Sequence, residues 1–158
     1  MKCLCSHIWR RGAEFRKAQK GAVAIEFVVT LPLFLAALAL SFEFGRLFVA
    51  HHDTVNNVRE AARYLSRSQL SATDLTTAET IVRTGVASGG TAPDWLSSAT
   101  VSINPSYSTF STSNYRVSGQ VVRIQTTVDF PMTILDFAVD GDTTIPFVVI
   151  DDIRHFGA

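Results

Sequence analysis

The pattern of apolar and polar positions changes twice along the chain, and each change predicts a different element. From Ala22 to Phe42 the residues are apolar or small, with one charge, Glu26. A bilayer core about 30 Å thick takes roughly 20 such residues in helical form, so this run predicts a membrane span. Pro32 removes one backbone donor inside it and predicts a bend near Phe27 to Val29. Beyond the run, Val55, Val58, Ala62 and Leu65 recur at helical spacing, with Asp53, Asn56, Glu60, Arg63 and Arg67 elsewhere on the wheel. That pattern is amphipathic. The helix should therefore pass Gly45 and continue to about Arg67, and at 1.5 Å per residue the stretch from Ala22 would measure about 70 Å.

Ser66 to Thr77 is rich in Ser and Thr and reads as a break. A second helix is expected to start at a capping box, Thr76-Thr77-Ala78-Glu79, and to close at Ser88-Gly89-Gly90. A loop with Pro93 and Trp95 follows. From Ala99 the period becomes that of strands. Thr100 to Asn104 alternates, Pro105 to Asn114 reads as a polar turn, and Tyr115 to Phe130 carries the strongest alternation. Its apolar parity shifts by one residue near Gly119, where a β-bulge would serve. Met132 to Val139 is a short helix or turn, and Thr143 to Ile150 is a last strand in which Pro146 argues for an edge. The expected class is α+β: a long N-terminal transmembrane and amphipathic helix, then a small domain with a short helix and an antiparallel sheet of about three strands. The expected divisions are a basic leader over 1–21, a transmembrane helix over 22–42, an amphipathic stalk over 43–68 and an α+β domain over 69–158.

Charge orients the span. The formal net charge of zero hides an asymmetry. Lys2, Arg10, Arg11, Arg16, Lys17 and Lys20 stand against Glu14 before the span, whereas eight arginines stand against twelve acids from Glu43 onward. Basic flanks stay in the cytoplasm. The N-terminus is therefore expected inside and the C-terminal part exported. Both cysteines, Cys3 and Cys5, precede the span, so the exported part must be held by packing alone.

Chemical constellations are few. No Gly-x-Ser-x-Gly elbow, phosphate-binding glycine loop or exported basic stripe is present, so neither an enzyme nor a nucleic-acid binder is expected. Cys3 and Cys5 with His7 lack a fourth ligand, and His51 and His52 are adjacent rather than spaced for zinc. Asp140-Gly141-Asp142, near Asp136, Asp151 and Asp152, lacks an EF-hand pattern and reads as a solvated turn. No metal and no cofactor are expected.

Glu26 remains. A carboxylate in hydrocarbon costs on the order of 2.5 kcal/mol or more unless it is paired or reaches the interface. Five residues after Gly21, about 7.5 Å along a helix, it is close enough to the cytoplasmic face to reach it. The pattern of a basic residue, Gly21, four apolar residues, Glu26, Phe27 and a long apolar helix also resembles a class III type IV prepilin signal, whose peptidase cuts after the glycine. That resemblance implies a mature chain starting at Ala22, with an ammonium able to compensate the Glu26 carboxylate of a neighbouring subunit.

Gly21-Ala-Val-Ala-Ile-Glu-Phe27, Leu31-Pro32-Leu33, Phe44-Gly45-Arg46-Leu47-Phe48 and Val58-Arg-Glu-Ala-Ala-Arg-Tyr64 together resemble the TadE-like family, pseudopilin-like assembly proteins of tight-adherence (Flp) pili. The likeness covers residues 20–67 and does not separate TadE-like from TadF-like members. It implies a type IV pilin-like architecture, a bacterial inner-membrane anchor, and prepilin peptidase, pilin subunits, other pilus assembly proteins and membrane lipid as partners. In that setting Gly21 and Ala22 are the processing site, Glu26 and Phe27 act in assembly register, and Pro32 marks the kink. Two other readings stay open: a periplasmic binding or sensing module on a permanent anchor, and a protein released by a signal peptidase at Ala37-Leu38-Ala39. The three differ in their N-terminus, at Ala22, Met1 or Leu40.

Overall fold

The computed structural model describes residues 19–110, 119–134, 136, 141 and 143–156. Helix α1 is Gln19–Arg67, α2 is Ala72–Thr84 and α3 is Asp94–Ser97; strands β1 (Thr100–Phe110), β2 (Gly119–Pro131) and β3 (Thr144–His155) follow. This is the expected α+β arrangement, with an antiparallel sheet in the order β1-β2-β3. Contacts divide the chain into two units, one ending at Phe42 and one beginning at Glu43. In the first unit α1 runs through Pro32 as helix, and its described residues from Gly21 to Leu38 are all exposed.

In the second unit α1 becomes one-sided. Ala50, Thr54, Val58, Ala61, Ala62 and Leu65 are buried, while His52, Asp53, Asn56, Arg59, Glu60 and Arg63 are exposed. The three- and four-residue spacing expected from the sequence is the face that closes on the sheet. Val58, Ala61, Ala62 and Leu65 join Ala78, Ile81 and Val82 of α2 and Val122, Ile124 and Val149 of the sheet in one core. Burying side chains of this size contributes about 1.5–3 kcal/mol each for the larger ones. The apolar parity of β2, with Val122, Ile124, Thr126, Val128 and Phe130 buried, is also as the alternation predicts.

Several boundaries fall elsewhere than the sequence suggests. The capping box of α2 is at Ser71 and Asp74 rather than at Thr76 and Glu79. The Asp74 backbone N–H donates to Ser71 Oγ at 3.2 Å, and the Ser71 N–H donates to Asp74 Oδ2 at 3.1 Å. Ser71-Ala-Thr-Asp74 offers the same cap chemistry one turn earlier, and starting there brings Leu75 against the core. Glu79 is left to pair with Arg83 at 2.9 Å. The helix ends at Gly85, before the expected Ser88-Gly89-Gly90. Gly85 has φ 77° and its N–H closes on the Ile81 carbonyl. A Cβ there would lie 3.1 Å from Asn57 Oδ1, and Asn57 Nδ2 donates to the Val82 carbonyl. Asn57 of α1 thus serves an orphan carbonyl at the end of α2.

In the sheet, β1 does not turn at Pro105. It bulges there, pairing Asn104 with Arg123 and then Ser108 with Val121, and runs on to Phe110. Proline has no N–H to give the ladder, so the irregularity falls on Pro105 to Tyr107. The Gln120 side-chain amide donates to the Pro105 carbonyl and to Ser106 Oγ in compensation. From Gln120 to Pro131, β2 pairs with β3 without interruption, and the residues on the far side of the parity shift expected near Gly119 lie outside the described residues. Tyr115, Val117 and Asn114 lie outside the described residues, as do Asp140 and Asp142 of the expected turn. Strand β3 continues five residues past Ile150. Its end is tied to α1 and the turn after it: the Phe156 N–H donates to the Ser66 carbonyl at 3.0 Å, and His155 Nε2 meets the Ser68 carbonyl at 2.8 Å. Pro146 is on an edge strand, as read from the sequence. The expected loop around Trp95 contains the single turn α3, and Trp95 packs on Phe130 with ring centroids 6.3 Å apart.

Thr126 Oγ1 is buried in this core with no hydrogen-bond partner among the described residues. An unmet buried hydroxyl costs stability, so Thr126→Val should stabilise the domain by about 1 kcal/mol. A lower urea midpoint for that variant of the full chain in detergent would contradict it. Two carboxylates tie the fold to pH. Hydrogen bonds from the Ser71 side chain and backbone hold Asp74 below the usual carboxylate range, and the Arg123 guanidinium does the same for Asp152 across two bonds of 2.6 Å. Their folded-state pKa values are depressed, so their contribution is present above the ordinary value of about 3.9 and is lost as pH falls through the folded one. The Asp74→Asn, Asp152→Asn double variant should lose less of its urea midpoint than the parent between pH 6 and pH 3; equal losses would contradict the linkage.

Candidate functional site

The residues singled out in the sequence lie at the start of α1. A Cβ at Gly21 would meet nothing within 4 Å among the described residues. Ala22 and Glu26 are four residues apart and share a face of the helix. Phe27, at 62% exposure, is beside them. Among the described residues nothing pairs with the Glu26 carboxylate, and it is exposed along with its neighbours. The hydroxyls of the same stretch are satisfied within the helix. Thr30 Oγ1 donates to the Glu26 carbonyl at 2.9 Å, and Ser41 Oγ donates to the Ala37 carbonyl at 2.8 Å. Back-bonding of this kind removes a donor that hydrocarbon could not serve. Pro32 is inside the helix and leaves the carbonyl one turn earlier, at Val28, without its usual donor.

The helix from Gly21 is long and apolar enough to cross a membrane, with an 18-residue window of mean hydropathy 2.4 and none of that window buried. A soluble core helix of this composition would be covered. Here the apolar side chains point outward all round.

A family comparison bears on this same stretch. The model of the family described as TadE-like protein matches residues 21–63. The N-terminal helix is TadE-like. The match begins at Gly21 and ends within α1, so it takes in the apolar run and most of the face that closes on the sheet. Neither a curated protein nor a solved structure matches the chain. The resemblance drawn from the four sequence motifs is thus found again over the helix, and the sheet stands outside it.

A second carboxylate of the TadE-like segment, missed in the sequence, is the first residue of the domain. Glu43 is fully buried. Its Oε1 accepts the Thr133 backbone N–H at 2.9 Å and its Oε2 accepts the Ile134 N–H at 3.1 Å. These are the first amides of the helical turn that follows β2, donors that have no partner within the turn itself. Arg46 Nη1 is 3.0 Å from Glu43 Oε1 and donates to Thr133 Oγ1 at 2.8 Å, and its guanidinium is 5.5 Å from the centre of the Phe130 ring. A cluster of Ala50, Phe130 and Met132, with Leu47, Trp95, Ile145 and Phe147, covers the site. The signal available in the sequence was a Glu and an Arg three apart directly after the apolar run. Its partners, ninety residues away, were not.

A groove between the end of α1 and α2 is lined among others by Glu60, Arg63, Tyr64 and Asp74. Its polar groups are engaged with each other: Arg63 with Glu60 at 3.6 Å, and Tyr64 Oη with Asp74 at 3.1 Å. His51 and His52 are not brought together; His51 packs edge-on against Phe147 at 5.3 Å. Among the described residues no group of three or more His, Cys, Asp or Glu side chains is placed to hold a metal ion.

Removing the Glu43 carboxylate should leave the Thr133 and Ile134 amides without their acceptor and Arg46 without its ion-pair partner. Glu43→Ala is expected to lower domain stability by about 1–3 kcal/mol and to speed hydrogen exchange at Thr133 and Ile134. Glu43→Gln, which can still accept one N–H, should lose less. Unchanged exchange in the alanine variant would show that the carboxylate does not hold the turn.

Proposed function

We propose that this chain is a minor pseudopilin or assembly protein of a tight-adherence, type IV-like pilus, with a structural rather than catalytic role. It is anchored by α1 in the bacterial inner membrane with its N-terminus in the cytoplasm, and a prepilin peptidase cuts it after Gly21. The observation that carries the reading is the TadE-like match from Gly21 to Arg63 on a helix whose apolar surface is uncovered. An all-round apolar helix needs lipid or other helices around it.

The proposed chemistry follows from the helix start. Cleavage after Gly21 creates an ammonium at Ala22, one helical turn from Glu26. In a bundle of such helices the ammonium of one copy and the Glu26 carboxylate of the next compensate each other only at the matching axial offset. Removing one member of a buried pair strands the other charge, at a cost of about 3–5 kcal/mol, so the pair penalises wrong offsets strongly. Phe27 lies next to that pair, and Pro32 one turn further on adjusts the helix direction. Pilin subunits, other assembly proteins of the pilus and membrane lipid are the partners this role requires.

Two measurements test it. Intact mass and N-terminal sequencing of the membrane-extracted protein should give Ala22, and Gly21→Val should leave the leader attached. A start at Met1 favours the permanently anchored binding module, and one at Leu40 a secreted protein. Glu26→Ala should leave cleavage largely intact and reduce surface pili; normal piliation in that variant would remove the register role.

A further inference from the structure

We propose that the folded domain rests in the headgroup layer of the membrane rather than standing off it, with Glu43 to Val49 of α1 inside that layer. The apolar surface of α1 does not end where the span does. Phe44, Phe48 and Val49 are 55%, 76% and 60% exposed, and Gly45 between them has open space at its Cβ. The next residues on the outside, His51, His52 and Asp53, are polar and exposed. From Ala22 to Val49 is 28 residues. At 1.5 Å per residue that is about 42 Å. A bilayer core is about 30 Å, and the bilayer with its headgroup regions is about 40–45 Å. The apolar length of α1 therefore matches the whole bilayer, and the excess over the core falls on the first two turns of the domain.

The charges in those two turns are arranged for such a place. Glu43 is turned away from the outer face, fully buried on Thr133 and Ile134, so it presents no carboxylate to lipid. Arg46 is paired with it and keeps part of its side chain, 39%, exposed, the arrangement expected of an arginine reaching toward phosphate. Trp95 sits half-buried in the same cluster as Arg46's Phe130, an aromatic at the level where tryptophan favours the interface. The outer face of this segment is left with phenylalanine, glycine and valine alone. The occupant that this pattern fits is lipid at headgroup depth.

The inference rests on α1 being a membrane span and not on the pilus role, and the test separates the two. Spin labels are placed singly at Leu35→Cys, Phe48→Cys and Asn56→Cys in the full chain, with Cys3 and Cys5 replaced by serine, in phosphatidylethanolamine/phosphatidylglycerol vesicles. Collision rates with oxygen and with a water-soluble nickel chelate report depth. The oxygen-to-nickel ratio should be highest at 35, several-fold lower but still lipid-like at 48, and aqueous at 56. A ratio at 48 equal to that at 56, with 35 in lipid, would overturn the placement while sparing the span. Protection of 48 from both reagents would mean that protein covers this face, and would overturn it as well. An aqueous 35 would overturn the span and the placement together. Since Phe48 touches little, loss of folding does not confound the result; Val49→Cys serves as a second reporter.

Discussion

The domain depends on one narrow face of α1. Val58, Ala61, Ala62 and Leu65 are all buried, and two of the four are alanines that put little bulk between helix and sheet. Through them the helix contacts α2 and the central strand together, so a single stripe supplies one wall of the core. A three-stranded sheet with one face in water is marginal alone, and the helix covers the other face. The ends of the chain segments follow this arrangement. Asn57 reaches from α1 to close α2, and Ser66 and Ser68 receive the end of β3.

The same helix is also long and apolar enough to cross a membrane. From Gly21 to Leu38 every position is exposed and almost every one is apolar, whereas from Glu43 burial falls on one side. Glu43 stands at that change. Its carboxylate completes the donors of a turn far along the sequence, and it does so at a depth where an unpaired charge would be expensive. The residue thus performs two tasks with one set of bonds: it caps the first amides of a turn, and it removes a charge from the outer face of α1.

Legibility in the sequence followed the range of the interactions. The span, the amphipathic continuation and the inward parity of β2 were readable because each is a periodic pattern within one element. Boundaries decided by competition were not. Ser71-Ala-Thr-Asp74 and Thr76-Thr-Ala-Glu79 offer nearly equal caps, and the earlier one is used in a fold that packs Leu75 against the core. The bulge of β1 was not legible, because the polar stretch from Pro105 onward reads equally as a turn; Pro105, with no N–H for the ladder, lies within it. In the candidate site, Gly21, Ala22 and Glu26 could be named because the resemblance to a prepilin signal is carried by a short local motif. Glu43 could not, because its partners are backbone amides with no sequence signature and lie ninety residues away.

The contrast between the two carboxylates bears on function. Glu43 and Glu26 belong to the same TadE-like segment and the same helix, yet one is satisfied within the chain and the other is not, among the described residues. Glu43 is within reach of a folded domain, which can bring backbone donors to it. Glu26 is flanked by helix on both sides, and among the described residues no group pairs with its carboxylate. Once a leader ending at Gly21 is removed, as proposed, the charge nearest to it in its own chain is the ammonium at Ala22. That group is fixed one turn away on the same rod and points along it. An intramolecular pair of this kind carries no information about neighbours, whereas the crossed pair between two rods does. A cell that needs subunits to add at one axial step gains nothing from a carboxylate that its own chain already satisfies. On the proposed assembly role, Glu26, without a partner among the described residues, is left for a neighbouring copy, whereas Glu43 is already spent on Thr133 and Ile134.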